Sequence, residues 1–199
     1  SDRSQAFQVT PTYVGGALSG VIFTKGNYAA NWGNTSWGSG YRGALAGNYQ
    51  KSTFGHDLVT IASITDGTSN TVAMAEVLQG ELQDIRGVMW STVPGGSTFM
   101  TRLTPNGVKD FYNQNSGGDY FNGQFCISEP GQGLACFAVP SNLDVDSDAF
   151  AGARSRHPGG VNALYADGSV HFIKSTVNPV TWNALGSISG GEVLSADSY

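Results

Sequence analysis

His157 and Asp167 are the side chains whose types and spacing first suggest chemistry. They lie in SRHPGGVNALYADGSVHFI, residues 155–173, with nine residues between them and Gly168 directly after. An imidazole beside a carboxylate can hold a metal or act as a general base. The intervening residues contain a bend and a strand's length of chain, roughly 20 Å at about 3.3 Å per residue. That spacing separates the two groups within one subunit. It leaves His157 to tie down a loop and Asp167-Gly168 to make a turn. Asp144, Asp146 and Asp148 form a second candidate, with carboxylates at alternating positions as in the first half of a calcium loop. The EF-hand pattern then breaks, because Ala149 stands where Gly is needed and Ser155 where Glu is needed. A calcium loop outside that pattern and a solvated acidic loop offset by Arg154 and Arg156 both remain open.

Cys126 and Cys136 flank a loop containing Pro130, Gly131 and Gly133. In an oxidising compartment they form a disulfide worth roughly 3 kcal/mol in the chain-entropy model. Two cysteines without Cys-x-x-Cys spacing are too few for a zinc site, and a catalytic thiol is the lesser alternative. Thr65-Asp66-Gly67-Thr68-Ser69-Asn70 has one Gly and no following Lys, so it is not a phosphate loop. Side chains bonding to their own backbone explain it better. Ser69 also lacks the Gly-x-Ser-x-Gly context of a hydrolase nucleophile. His171 reads as a hydrogen-bonded core histidine, and His56-Asp57 as a loop pair. Trp32, Trp37 and Trp90 either pack on a sheet or offer stacking surfaces to a glycan.

The elements that position these groups are mostly short strands. Residues 161–166 and 169–174 read as a hairpin around the Asp-Gly pair, with a two-residue type I′ turn. That register pairs Ala166 with Ser169, Tyr165 with Val170, Leu164 with His171 and Ala163 with Phe172. Both hairpin faces are then largely apolar, which predicts burial on both sides. Further strands are expected at 7–10, 20–24, 71–78 and 87–92, and a helical turn at 58–64. Residues 94–124, rich in Gly and Asn, read as a polar excursion from the core that faces a partner. A short helix is predicted over 179–185, with Asn178 as N-cap, Pro179 at its first position and Gly186 as its stop.

His157, nine residues and Asp167-Gly168 near the end of a chain resemble the C-terminal signature of a prepilin-like family best known from planctomycete bacteria. ITDGTSNTVAMAEV at 64–77, NYAANWGN at 27–34 and WNALGSISGGEVLSADSY at 182–199 resemble that family's other segments, in the same order. The family is filed as a domain of unknown function and under a solute-binding-type label. Its members carry an N-terminal prepilin leader and apolar helix. The resemblance therefore implies that residues 1–199 are the C-terminal globular body of a pilin-like protein. Some secretion pseudopilins hold calcium in a C-terminal loop, which is the analogy for Asp144, Asp146 and Asp148.

Composition sets the outer bounds. Of 199 residues 28 are Gly, and only 13% are charged against a typical ~25%. The 40% hydrophobic content is enough for a core and argues against disorder. A net charge of −5, with no basic cluster beyond Arg154 and Arg156, disfavours nucleic acid and anionic membranes. No apolar run approaches the ~20 residues of a membrane span. Together these features predict one mainly β domain, with α+β as the variant, built on an antiparallel sheet with long Gly/Asn-rich loops. The expected function is structural and non-enzymatic: a self-associating subunit of an extracellular or cell-surface pilus-like filament. The N-terminal residues 1–14 are candidates for adding to a neighbour's sheet edge. The alternative is a secreted calcium- or carbohydrate-binding module. An enzyme ranks last, since nothing assembles a nucleophile, a base and an oxyanion site.

Overall fold

The computed structural model describes residues 6–8, 22–37, 59–81, 83–90, 93–113, 117–123, 125–139 and 149–192. The fold is mainly β. Its centre is a five-stranded sheet of β3 (Tyr28–Asn31), β4 (Val72–Glu76), β5 (Thr98–Phe99), β8 (Gly160–Tyr165) and β9 (Val170–Lys174). The spatial order is β5-β3-β4-β8-β9, antiparallel except where β5 runs parallel to β3. Two small sheets accompany it, one before it in sequence and one inserted between β5 and β8. β1 (Ala6–Gln8) pairs antiparallel with β2 (Ile22–Thr24), and β6 (Asp119–Asn122) pairs parallel with β7 (Cys136–Val139). The first of these pairs residues 6–8 within the chain.

One face of the central sheet is sealed by α1 (Pro179–Leu185). The helix starts as its sequence dictates. Asn178 accepts a hydrogen bond from Val180 N–H at 2.8 Å, and Pro179 has no N–H to strand. Trp182 and Leu185 enter a core with Ala29, Val72, Ala75, Phe99, Val161, Ala163, Tyr165 and Ile173. The Trp182 indole lies 6.4 Å from the Phe99 ring and donates to Leu103 O at 2.7 Å, so its one polar atom is satisfied inside the core. Full burial of each such large side chain contributes roughly 1.5–3 kcal/mol.

The hairpin forms where expected, but in another register. Val161 pairs with Ile173, Ala163 with His171 and Leu164 with Val170. The loop has three residues. Tyr165 N–H donates to Ser169 O at 2.8 Å and Gly168 N–H to Tyr165 O at 3.0 Å, with Gly168 at φ +88°. An Asp-Gly pair serves this loop as readily as the two-residue turn, because Gly supplies the positive φ in both. Asp167 favours the longer form by accepting from Ser169 N–H at 2.8 Å and Ser169 Oγ at 2.6 Å. A one-residue slip turns every side chain of β9 over. Ile173 goes into the core, while Val170 and Phe172 face outward, 65% and 46% exposed. The hairpin is therefore buried on one face only. His171 is exposed rather than a core residue, and its ring stands 4.8 Å from that of Tyr165.

Two further expectations are corrected. No strand runs through the described residues 87–90; Val88 makes a single bridge to Lys25. The stretch 94–124 is not an excursion. Phe99, Met100, Leu103 and Asp119 within it are fully buried. Its Gly and Asn content serves tight turns between core residues, so composition masked the burial. The helical turn near 58–64 is a 3-10 turn at Ile61–Ser63, followed by a second at Thr68–Asn70.

Gly168→Ala should destabilise the fold by roughly 1–2 kcal/mol through left-handed backbone strain alone, since no atom stands within 4 Å of the added methyl. Urea unfolding measures it. Unchanged stability would contradict the left-handed backbone at Gly168.

Candidate functional site

A buried ionic chain stands behind the candidate site. Arg86 clasps Asp84 through Nε at 2.9 Å and Nη2 at 2.6 Å, and reaches Asp119 with Nη1 at 3.2 Å. Arg154 meets the same Asp119 from the other side, with Nη2 to Oδ1 at 2.9 Å and Nε to Oδ2 at 3.0 Å. Side-chain exposure is at most 2% for all four. The remaining lone pairs are filled: Gly152 N–H donates to Asp119 and Ile127 N–H to Asp84. Burial by itself would raise the Asp119 pKa. Arg154 and then Arg86 outweigh it and hold the carboxyl below its usual range. Arg154 is thus spent inside the protein and does not offset an acidic loop. Lys25 is also buried; burial lowers its pKa to about 8 despite Asp84, and its ammonium donates to Gly80 O and Asp84 O.

Arg154 N–H donates to Glu76 O at 2.8 Å, which ties this chain to the end of β4. The Glu76 side chain projects to the sheet's other face. Its Oε2 accepts from Asn162 N–H at 2.7 Å, and its Oε1 accepts from Asn162 Nδ2 at 3.2 Å. His157 Nε2 stands 3.1 Å from Oε1. A carboxylate holds one ring nitrogen of His157, and Ser155 Oγ takes the backbone N–H of His157 at 3.0 Å. The imidazole borders a cleft of about 570 Å³ lined by Gln79, Glu81, Gln132 and Arg156 among others. Among the described residues no hydroxyl or thiol is hydrogen-bonded to the ring, whose partner is the Glu76 carboxylate.

Register places Glu76 in a row across the outer sheet face: Tyr28, Glu76, Asn162, Phe172. The next row is Ala30, Met74, Leu164, Val170. A bulge between Val72 and Met74 allows β4 to bury Val72 and Ala75 while turning Met74 outward. Tyr28 is 54% exposed. This face is mostly apolar and has no helix over it among the described residues.

His157 and Asp167 engage different partners, Glu76 and Ser169. Cys126 and Cys136 are joined in a disulfide. Asp144, Asp146 and Asp148 lie outside the described residues, as do His56 and Asp57; among the described residues no three His, Cys, Asp or Glu could share a metal. Trp32 and Trp37 stack on each other at 6.3 Å and pack against Met100, Leu103 and Phe150, whereas Trp90 is 52% exposed. The four motif-bearing segments bond to one another. Asn31 Nδ2 donates to Val72 O and Gly186 O, Asp66 accepts from Gly190 and Gly191 N–H, and Glu76 holds His157. Sequence reasoning missed the Asp84–Arg86–Asp119–Arg154 chain and the role of Glu76.

Fold and site together define a mainly β, disulfide-bearing body whose motif residues brace a sheet, one face of which has no helix over it among the described residues. The chain belongs to the family described as a protein of unknown function, DUF1559, whose model matches residues 8–180. No curated protein and no solved structure matches it.

Asp119→Ala should cost about 3–5 kcal/mol, because it strands two buried guanidinium groups. A depressed carboxyl pKa contributes stability above the unfolded value of about 3.9, and that stability is lost as pH falls through the folded value. Wild type should therefore lose stability on acidification below about pH 4, while Asp119→Ala loses less over the same range. Equal pH slopes in chemical denaturation would contradict the assignment.

Proposed function

We propose that this chain is a structural, self-associating subunit of an extracellular or cell-surface, pilus-like assembly. The observation that carries the reading is the open sheet face. Tyr28, Met74, Leu164, Val170 and Phe172 share it, with Tyr28, Val170 and Phe172 strongly exposed. Exposed apolar side chains grouped on one sheet face mark an interaction surface. Low charge density removes the usual repulsion between copies. The Cys126–Cys136 disulfide supports an oxidising compartment. Among the described residues no helix is long and apolar enough to cross a membrane. The prepilin-like motif resemblance supports the same reading. A filament needs a contact that does not close on itself, and an exposed sheet face can take part in one.

Light scattering and electron microscopy of the purified chain test this, with calcium and with chelator. Wild type should associate with rising concentration. Tyr28→Lys, at an exposed position that leaves the core intact, should weaken association at least tenfold with unchanged melting. Loss of assembly in chelator would assign calcium to Asp144, Asp146 and Asp148. A chain that stays monomeric in both buffers, with no filaments in native material, would overturn the proposal.

A further inference from the structure

The main chain of β9 is an unused template. Its hydrogen-bond phase is fixed at both ends, by Tyr165 N–H to Ser169 O at 2.8 Å and Ser175 N–H to Gly159 O at 2.7 Å. Antiparallel alternation then points His171 and Ile173 main-chain groups at β8 and those of Val170 and Phe172 away from it. β9 is the last strand of the sheet. Among the described residues the N–H and C=O of Val170 and Phe172 have no partner, and both side chains are exposed. The edge carries no Pro and no bulge, two of the devices that blunt one, and its one charged side chain, Lys174, stands at the strand's end. The window is bounded: Lys174 O accepts from Val177 N–H at 3.0 Å, and Ser169 N–H is held by Asp167.

From this we infer that β9 pairs with β9 of a second copy, antiparallel, about a twofold axis through His171. The inference rests on the self-association reading and names its partner and register. Val170 and Phe172 lie symmetrically about His171, so each meets the other across the axis. The free groups of one copy satisfy those of its mate in about four main-chain hydrogen bonds. The apolar side chains become cross-strand pairs on the open face. Charge is complementary at both ends. Lys174 falls opposite Gly168 of the mate, beside Asp167, so each ammonium adjoins an exposed carboxylate. The axis is perpendicular to the sheet and leaves both open faces on the same side. The two five-stranded sheets become one continuous sheet, and its apolar face is free for the further contacts a filament needs.

His171→Cys tests the register. Residues opposite in a non-hydrogen-bonded pair stand at about 4.5 Å between Cα atoms, within disulfide range. Mild oxidation should give a covalent dimer, with the disulfide between the two copies of position 171 identified by peptide mapping. Lys174→Cys, far from its own copy across the axis, should give none. Sedimentation of Phe172→Lys, a change at an exposed side chain, should show at least tenfold weaker dimerisation with unaltered melting. Wild-type association without the position-171 cross-link, and with Phe172→Lys behaving as wild type, would overturn the β9 pairing and leave self-association standing. A monomer at several hundred micromolar, with no cross-link, would overturn both.

Discussion

Asp119 is the point on which the rest of the structure depends. It is a fully buried carboxylate held between two buried guanidinium groups, Arg86 and Arg154. Burying four charges is expensive unless each lone pair and proton finds a partner. Here Gly152, Ile127 and Gly133 complete the set with backbone groups. Those groups come from distant parts of the chain, so the requirement fixes the path of several loops together. Low charge density fits this design: few ionic groups exist, and several of them are interior.

The consequence reaches the surface through one hydrogen bond. Arg154 N–H on Glu76 O positions the end of β4, and the Glu76 side chain then organises Asn162 and His157 on the outer face. That polar rim fixes β8 against β4 at the level where the open face begins. Below it the face is apolar, and at its edge β9 has main-chain groups without partners among the described residues. A scaffold braced from inside can therefore present an apolar sheet face without collapsing onto it. The disulfide between Cys126 and Cys136 closes the loop next to Arg86, whose Nη2 lies 3.8 Å from Cys136 Sγ, and so secures the same region.

What could be read from sequence was local. Asn178, Pro179 and Gly186 marked the helix, and alternating apolar residues marked β4 and the hairpin. The disulfide followed from two cysteines around a turn-rich loop. The hairpin register was not legible, because Asp-Gly suits two loop lengths that differ by one residue. That slip decides whether Phe172 is core or surface. The ionic chain was invisible because Asp84, Arg86, Asp119 and Arg154 share no spacing and meet only in three dimensions. Glu76 sits 81 residues from His157, and nothing local couples them. Phe99, Met100 and Leu103 were hidden by the Gly- and Asn-rich residues that carry the turns around them.

The central claim is that this body associates through its open sheet, with β9 as the joining strand. Amide hydrogen exchange at single-residue resolution, measured over a range of protein concentration, tests it most directly. The His171 and Ile173 amides already donate to β8 and should be protected throughout. The account predicts that the Val170 and Phe172 amides exchange as exposed groups in dilute solution and become protected as copies associate. Fast exchange at both positions at every concentration, beside protected neighbours, would contradict it.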